Sequence, residues 1–246
     1  MQRDALFHGI YRALHPDHCA ICHLSLETVE RYLWGFLYER VNDPWTRTDL
    51  IAARGFCSTH AWQLTRARDS ATGIAIVYRH LLEDFLDAFS AMAAHRLAVA
   101  AGRRRRTLFG PQNEEVLARE VGQWLERRRP CLACQSQWEA EDRNVAATAG
   151  ALDDADFRAR YEASLGLCFP HLIAVTASAD DPDSLEWLVR TERGLMETLT
   201  QGLAEFWRKH DYRFHHEKIT EAEAASWTRV VYKFVGAPGM VWRAQG

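Results

Sequence analysis

The cysteines of this chain fall into two Cys-x-x-Cys pairs and two Cys-x-x-His pairs. Cys19-Ala-Ile-Cys22 is followed 35 residues later by Cys57-Ser-Thr-His60, and Cys131-Leu-Ala-Cys134 is followed 34 residues later by Cys168-Phe-Pro-His171. No cysteine is left over. Two thiols separated by two residues can meet one ion from a tight turn at a helix start, and a Cys and His three apart project from the same side of a helical turn. Three thiolates and one imidazole make a tetrahedral S₃N set, the closed geometry of structural zinc. Read in sequence order, the ligands are Cys19, Cys22, Cys57 and His60 for one ion, and Cys131, Cys134, Cys168 and His171 for a second. The cofactor expected is zinc, two per chain. An iron–sulfur cluster is the alternative for the same residue types and, like reversible dithiol chemistry, would make the chain a redox protein; buried cysteines with a helix-capping histidine are the plainer reading.

Other residues keep the register of this repeat. A shift of 112 residues carries Glu27 onto Glu139, Glu30 onto Asp142 and Arg31 onto Arg143; a shift of 111 carries Asp43 onto Asp154, Arg47 onto Arg158, Gly55 onto Gly166 and Phe56 onto Leu167. The pattern reads as an internal duplication.

The elements that must position these residues are helices. From Ala20 to Arg40 and on to Val41, apolar residues recur largely at three- and four-residue steps (Leu24, Leu26, Val29, Leu33, Phe36, Leu37, Val41), the period of one helical face. Asn42-Asp43-Pro44 ends that run and opens a short helix that stops near Gly55. Further helices are expected from Cys57, over 74–101, and at about 113–128, 131–149, 154–163, 168–178, 184–210 and 221–235. No strand pairing or alternation of strands with helices is visible. The fold expected is all-α, an internally duplicated helical bundle with each half organised around a Cys₃His site. The run Gly102-Arg103-Arg104-Arg105-Arg106 marks the internal boundary, giving 1–106 as the first repeat and 107–246 as the second, either as separate domains or with one shared core.

The 246 residues suffice for a sizeable core. A hydrophobic fraction of 48%, a charged fraction of 26% and a net charge of −3 are those of an ordinary globular protein with no global pull toward nucleic acid or membrane. No export signal or membrane span is visible, so the expected compartment is the cytoplasm. There paired cysteines point to metal rather than disulfides.

Sharper readings of single motifs meet obstacles. Cys19-Ala-Ile-Cys22-His23 fits a haem-attachment string, but the second copy has Gln135 in place of His23. A thioredoxin-like motif lacks its preceding strand. A Cys57/His60 dyad would leave the first cysteine pair without a role. No phosphate-binding glycine loop, serine-nucleophile motif or open metal position is present, so the reading leans away from an enzyme and toward an interaction or regulatory module with a protein partner. Two arginine runs, Arg103 to Arg106 and Arg127-Arg128-Arg129, would contact nucleic-acid phosphates or an acidic partner and give a nucleic-acid-binding protein as an alternative reading, although solvated linkers and helix ends account for them as well. His210, Asp211, Tyr212 and Arg213 are a possible pocket or, more plainly, a helix end. His15 and His18 lie close enough to the first cysteines to be substitute ligands.

The chain resembles a family of uncharacterised bacterial proteins of unknown function. The resemblance rests on Cys19 to Cys22, Asn42-Asp43-Pro44, Gly55-Phe56-Cys57-Ser58-Thr59-His60, Cys131 to Cys134, Gly166-Leu167-Cys168-Phe169-Pro170-His171, and Lys209-His210-Asp211-Tyr212-Arg213-Phe214. It covers most of the chain and implies no activity.

Overall fold

The computed structural model describes residues 3–102 and 111–243, with side chains over 3–94 and 118–243. Arg103, Arg104, Arg105 and Arg106 lie outside the described residues. Eleven α-helices are found among the described ones: α1 (Ala5–Ala13), α2 (Ala20–Gly35), α3 (Pro44–Ala52), α4 (Ser58–Leu64), α5 (Ser70–Gly102), α6 (Pro111–Leu125), α7 (Leu132–Ala151), α8 (Ala155–Glu162), α9 (Phe169–Ser178), α10 (Pro182–Lys209) and α11 (Glu221–Val235). A π-helical turn, Phe36–Arg40, follows α2. The described residues form no strand, only an isolated bridge between His15 and His18. The fold is all-α, as the periodicity of the sequence requires.

Helix starts are set by local chemistry. Asp43 precedes Pro44 and accepts from the Thr46 N–H at 2.7 Å. Asp154 accepts from the Phe157 N–H at 3.0 Å, and Asp181, before Pro182, accepts from the Ser184 N–H at 2.8 Å. Each side chain satisfies a backbone donor that a helix start leaves open. Thr220 and Glu223 form a reciprocal capping box at the start of α11.

The chain divides into two compact units, one of residues 1–28 with 137–246 and one of residues 29–136. This division cuts differently from the sequence expectation of 1–106 and 107–246. The helices that start at the two Cys-x-x-Cys pairs, α2 and α7, each contribute residues to both units.

Unit 1 (1–28 and 137–246) is built on Phe7, Ile10 and Leu14, Ile21, Phe157 and Tyr161 of α8, Val175 of α9, and Trp187 and Leu188 of α10, all buried. Helix α1 has no counterpart among the helices expected from sequence. Its signal is short: Asp4 as N-cap, accepting from the Phe7 N–H at 2.9 Å, and Phe7, Ile10 and Ala13 on one buried face. Unit 2 (29–136) buries Val29, Leu33, Phe36, Leu50, Phe56, Leu64 and Val77, with Phe36 and Phe56 packed edge to face at 5.0 Å.

Candidate metal centres

All four cysteine-containing pairs sit at helix starts in the same way. The carbonyls of Cys19, Cys57, Cys131 and Cys168 accept from the N–H groups of His23, Ala61, Gln135 and Leu172, four residues on in each case, at 3.1, 2.8, 3.0 and 2.8 Å. Each first cysteine therefore occupies a helix N-cap. The second ligand, three residues later, lies over the same first turn. The positive end of the helix dipole favours thiolate there.

These pairs converge into two clusters, within each of which all four ligand atoms lie within 4.8 Å of one another. In unit 1 the set is Cys19, Cys22, Cys168 and His171; in unit 2 it is Cys57, His60, Cys131 and Cys134. Two three-cysteine, one-histidine clusters are thus present, but their membership is exchanged relative to the order along the chain. Each Cys-x-x-Cys meets the Cys-x-x-His from the other half of the sequence rather than the one that follows it. The 16-residue helix α2 begins at the first Cys-x-x-Cys and runs across the boundary between the units. From Val29 onward its residues belong to unit 2, so the Cys-x-x-His reached next is built there. The loop spacing of 34 or 35 residues constrains neither pairing.

The distances are those of a set closed around a single ion. In unit 1, His171 Nδ1 is 3.4 Å from Cys19 Sγ, 3.4 Å from Cys22 Sγ and 3.2 Å from Cys168 Sγ, and Cys22 Sγ is 3.6 Å from Cys168 Sγ. In unit 2, His60 Nδ1 is 3.3 Å from Cys57 Sγ, 3.6 Å from Cys131 Sγ and 3.3 Å from Cys134 Sγ, and Cys134 Sγ is 3.6 Å from Cys57 Sγ. A tetrahedral ion with about 2.3 Å sulfur bonds and about 2.0 Å nitrogen bonds puts its ligand atoms about 3.5–3.8 Å apart. Each set can hold one metal ion with Nδ1 as the imidazole ligand.

Charge within the clusters is shared unevenly when protons, rather than a metal, occupy them. Burial raises the Cys19 thiol, but hydrogen bonds from Cys168, Cys22 and His171 outweigh it and hold Cys19 as thiolate. Bonds from Cys131 and Cys134 do the same for Cys57. Cys22 is pushed up by its bonds to Cys168 and Cys19, and Cys134 by its bonds to Cys131 and Cys57. Burial opposes the charge on His60, yet its bonds to Cys131 and Cys57 raise it to about 9. His171 is opposed by burial in the same way, and Cys168, Cys19 and Glu141 raise it to about 12. At pH 7 both imidazoles are therefore protonated without metal, and a bound ion at Nδ1 must displace those protons. Metal loading is expected to release protons, with affinity rising as pH rises through the range below 9. Calorimetry in buffers of different ionisation enthalpy measures this; uptake without proton release would contradict it.

The loops ahead of the Cys-x-x-His pairs share their geometry and differ in what holds them. Gly55 and Gly166 lie at φ +76° and +73°, in the region only glycine enters freely. Arg47 Nε donates to the Val41 carbonyl at 3.0 Å, and Arg158 Nε donates to the Leu152 carbonyl at 2.5 Å, a bond across six residues in each case. In unit 1 the loop rests on buried Glu192. Its Oε1 accepts from the Leu167 N–H at 2.7 Å and the Tyr161 hydroxyl at 2.5 Å, and its other oxygen pairs with buried Lys233. In unit 2, Arg127 donates to the carbonyls of Ala53, Gly55 and Phe56 at 2.5, 2.8 and 2.9 Å. Replacing Gly166 by Ala would set a methyl against Glu192 and 2.9 Å from Leu195 Cδ1 at a positive φ. A loss of about 2 kcal/mol or more is expected in denaturant unfolding; a neutral result would show that the loop relaxes.

The match to known proteins covers the same ground. The model of the Family of unknown function (DUF6062) matches residues 10–238. The chain belongs to that family. It is also similar to an uncharacterized 23.9 kDa protein in the xynA 3' region of Caldicellulosiruptor sp. (strain Rt8B.4), with 24% identity over 216 residues, covering 87% of this chain and 93% of the relative. No solved structure matches. Both clusters, from Cys19 to His171, fall inside the part of the chain that the family covers.

The remaining residues singled out by sequence sit elsewhere. His15 and His18 stack on each other with ring centres 4.6 Å apart, His18 stacks on His23 at 4.6 Å, and none of the three joins a metal set. Arg127 is committed to the loop carbonyls, Arg129 pairs with Asp49, and the Arg128 N–H donates to the Ala52 carbonyl at 2.9 Å. His210 caps α10, Arg213 pairs with Asp211 at 2.7 Å, and Tyr212 is 82% exposed. Sequence reasoning missed Glu141. Its Oε1 is 3.1 Å from His171 Nε2, the bond that fixes the imidazole with Nδ1 free for a metal. It also missed Glu192 and Lys233, because neither keeps the repeat register.

Proposed function

We propose that the protein binds two zinc ions, one in each exchanged Cys₃His set, and that both ions are structural. The observation that carries this is the convergence of three thiols and one imidazole nitrogen, all within 4.8 Å of one another, on two helix N-termini in each unit. This spacing suits one ion better than a multi-iron cluster, whose ligands must stand around several metal atoms. Four protein ligands leave no position for a substrate. The local matches at Asp43 and Asp154, Arg47 and Arg158, and Gly55 and Gly166 support an origin by duplication.

The same reading extends to an interaction module. On α11, Trp227, Val231 and Phe234 are 56%, 55% and 61% exposed at helical spacing, and Phe234 meets Phe169 of α9 edge to face at 4.8 Å. An apolar stripe of this kind supports a protein partner. No helix among the described residues is long and apolar enough to cross a membrane. The test is elemental analysis with an absorption spectrum on protein purified without oxygen. Two zinc ions per chain and no visible absorption are expected. Iron with sulfide and visible colour would overturn zinc, and folded protein without metal would overturn the reading itself.

A further inference from the structure

The two sets are not equivalent in their surroundings. In unit 1 all four ligands are fully buried, Glu141 holds His171 through Nε2, and Trp242 packs on the His171 ring at 5.3 Å. In unit 2, Cys57 is partly exposed while its three companions are buried. His60 Nε2 is buried and meets no hydrogen-bond acceptor among the described residues. The shift of 112 residues that relates the two copies places Val29 at the position of Glu141. Val29 is 1% exposed and offers no acceptor. One centre is enclosed and braced; the other has one sulfur within reach of solutes and an imidazole without its outer partner.

We propose that the unit 2 centre is a releasable zinc site and that Cys57 is its point of attack by hydroperoxides. The proposal rests on the two-zinc reading. The zinc-bound Cys57 thiolate attacks one oxygen of the peroxide, the O–O bond breaks, and hydroxide leaves, giving a sulfenic acid. Cys134 Sγ, 3.6 Å away, then attacks the Cys57 sulfur. The S–O bond breaks, a second hydroxide leaves, and a Cys57–Cys134 disulfide forms. The two sulfurs together lose the two electrons that the peroxide gains, and both hydroxides take up solvent protons to become water. Two of the four residues that would hold the zinc dication are thereby consumed, and the two that remain would not retain it. Unit 1 holds an equally close pair, Cys22 and Cys168 at 3.6 Å. Burial of the attackable sulfur, rather than sulfur spacing, separates the centres, and an outer partner such as Glu141 is worth roughly 10- to 100-fold in metal affinity.

The experiment treats the intact two-zinc protein with hydrogen peroxide, follows free zinc with a chromogenic chelator, and maps disulfides by mass spectrometry. The expected result is a fast phase of one zinc per chain that coincides with a Cys57–Cys134 crosslink, and a second phase roughly 10-fold slower or more with Cys19, Cys22 and Cys168 still reduced during the first. In Glu141→Val, which gives unit 1 the apolar residue found in the unit 2 register, the second phase should move toward the first. Release of both ions at one rate, or a Cys22–Cys168 crosslink forming first, would overturn the proposal and leave the two-zinc reading standing. A chain that holds no zinc before peroxide is added overturns both.

Discussion

Cys22→Ala combined with Cys168→Ala should leave one zinc per chain. Both residues belong to the unit 1 set, so the double variant destroys one centre and spares the other. If each centre drew its ligands in sequence order, the same two changes would damage both. Cys22→Ala combined with Cys57→Ala gives the opposite prediction, since these residues lie in different sets, and zinc content should fall to near zero. The energetic effect is the largest the molecule offers, because binding of a structural ion contributes on the order of 10 kcal/mol that is available only to the folded state. Loss of the unit 1 ion should unfold or loosen the packing around Phe157, Tyr161 and Leu188, which share a buried cluster with Cys19, Cys22 and Cys168. Zinc content and near-ultraviolet circular dichroism on the two double variants would measure both effects.

Glu192→Ala should cost about 3–5 kcal/mol, the usual consequence of leaving one member of a buried ion pair alone. Glu192 and Lys233 are 1% and 2% exposed. Removing the carboxylate strands the ammonium, which would keep only the Leu165 carbonyl at 3.1 Å, and it removes the acceptor of the Leu167 N–H, one residue before Cys168. The loss therefore reaches the metal centre through the backbone. Glu192→Leu with Lys233→Met should recover part of the stability, since an apolar pair leaves no uncompensated charge. Zinc affinity in unit 1 should stay weakened in the double variant because the loop still lacks its acceptor. Denaturant unfolding, together with zinc competition, checks both parts; a Glu192→Ala variant as stable as the parent would show that solvent enters the site and compensates the ammonium.

What the sequence disclosed and what it concealed divide along physical lines. Helices were legible because their period, their aspartate caps at Asp43 and Asp154, and their breaker at Pro44 are all local. The eight residues of the two clusters were legible as motifs for the same reason: Cys-x-x-Cys and Cys-x-x-His are each defined within one turn. Which pair meets which was not, since that depends on where rigid helices deliver the chain, and the natural assumption that neighbours in sequence share an ion gave the wrong grouping. Glu141 escaped because the sequence register places Val29 opposite it, so the pattern that singled out the cysteines and histidines hid the residue that distinguishes the two clusters. The arginines at 127 and 129 read as a basic surface feature, yet their partners are loop carbonyls and Asp49, which no spacing rule would have indicated.

The grouping itself is most directly tested by loading the protein with cadmium-113 and correlating each metal resonance with cysteine β-protons through the metal–sulfur bonds. The structure predicts two cadmium signals, one coupled to Cys19, Cys22 and Cys168 and the other to Cys57, Cys131 and Cys134. A signal that couples Cys19 and Cys22 to Cys57 instead would contradict the exchanged centres.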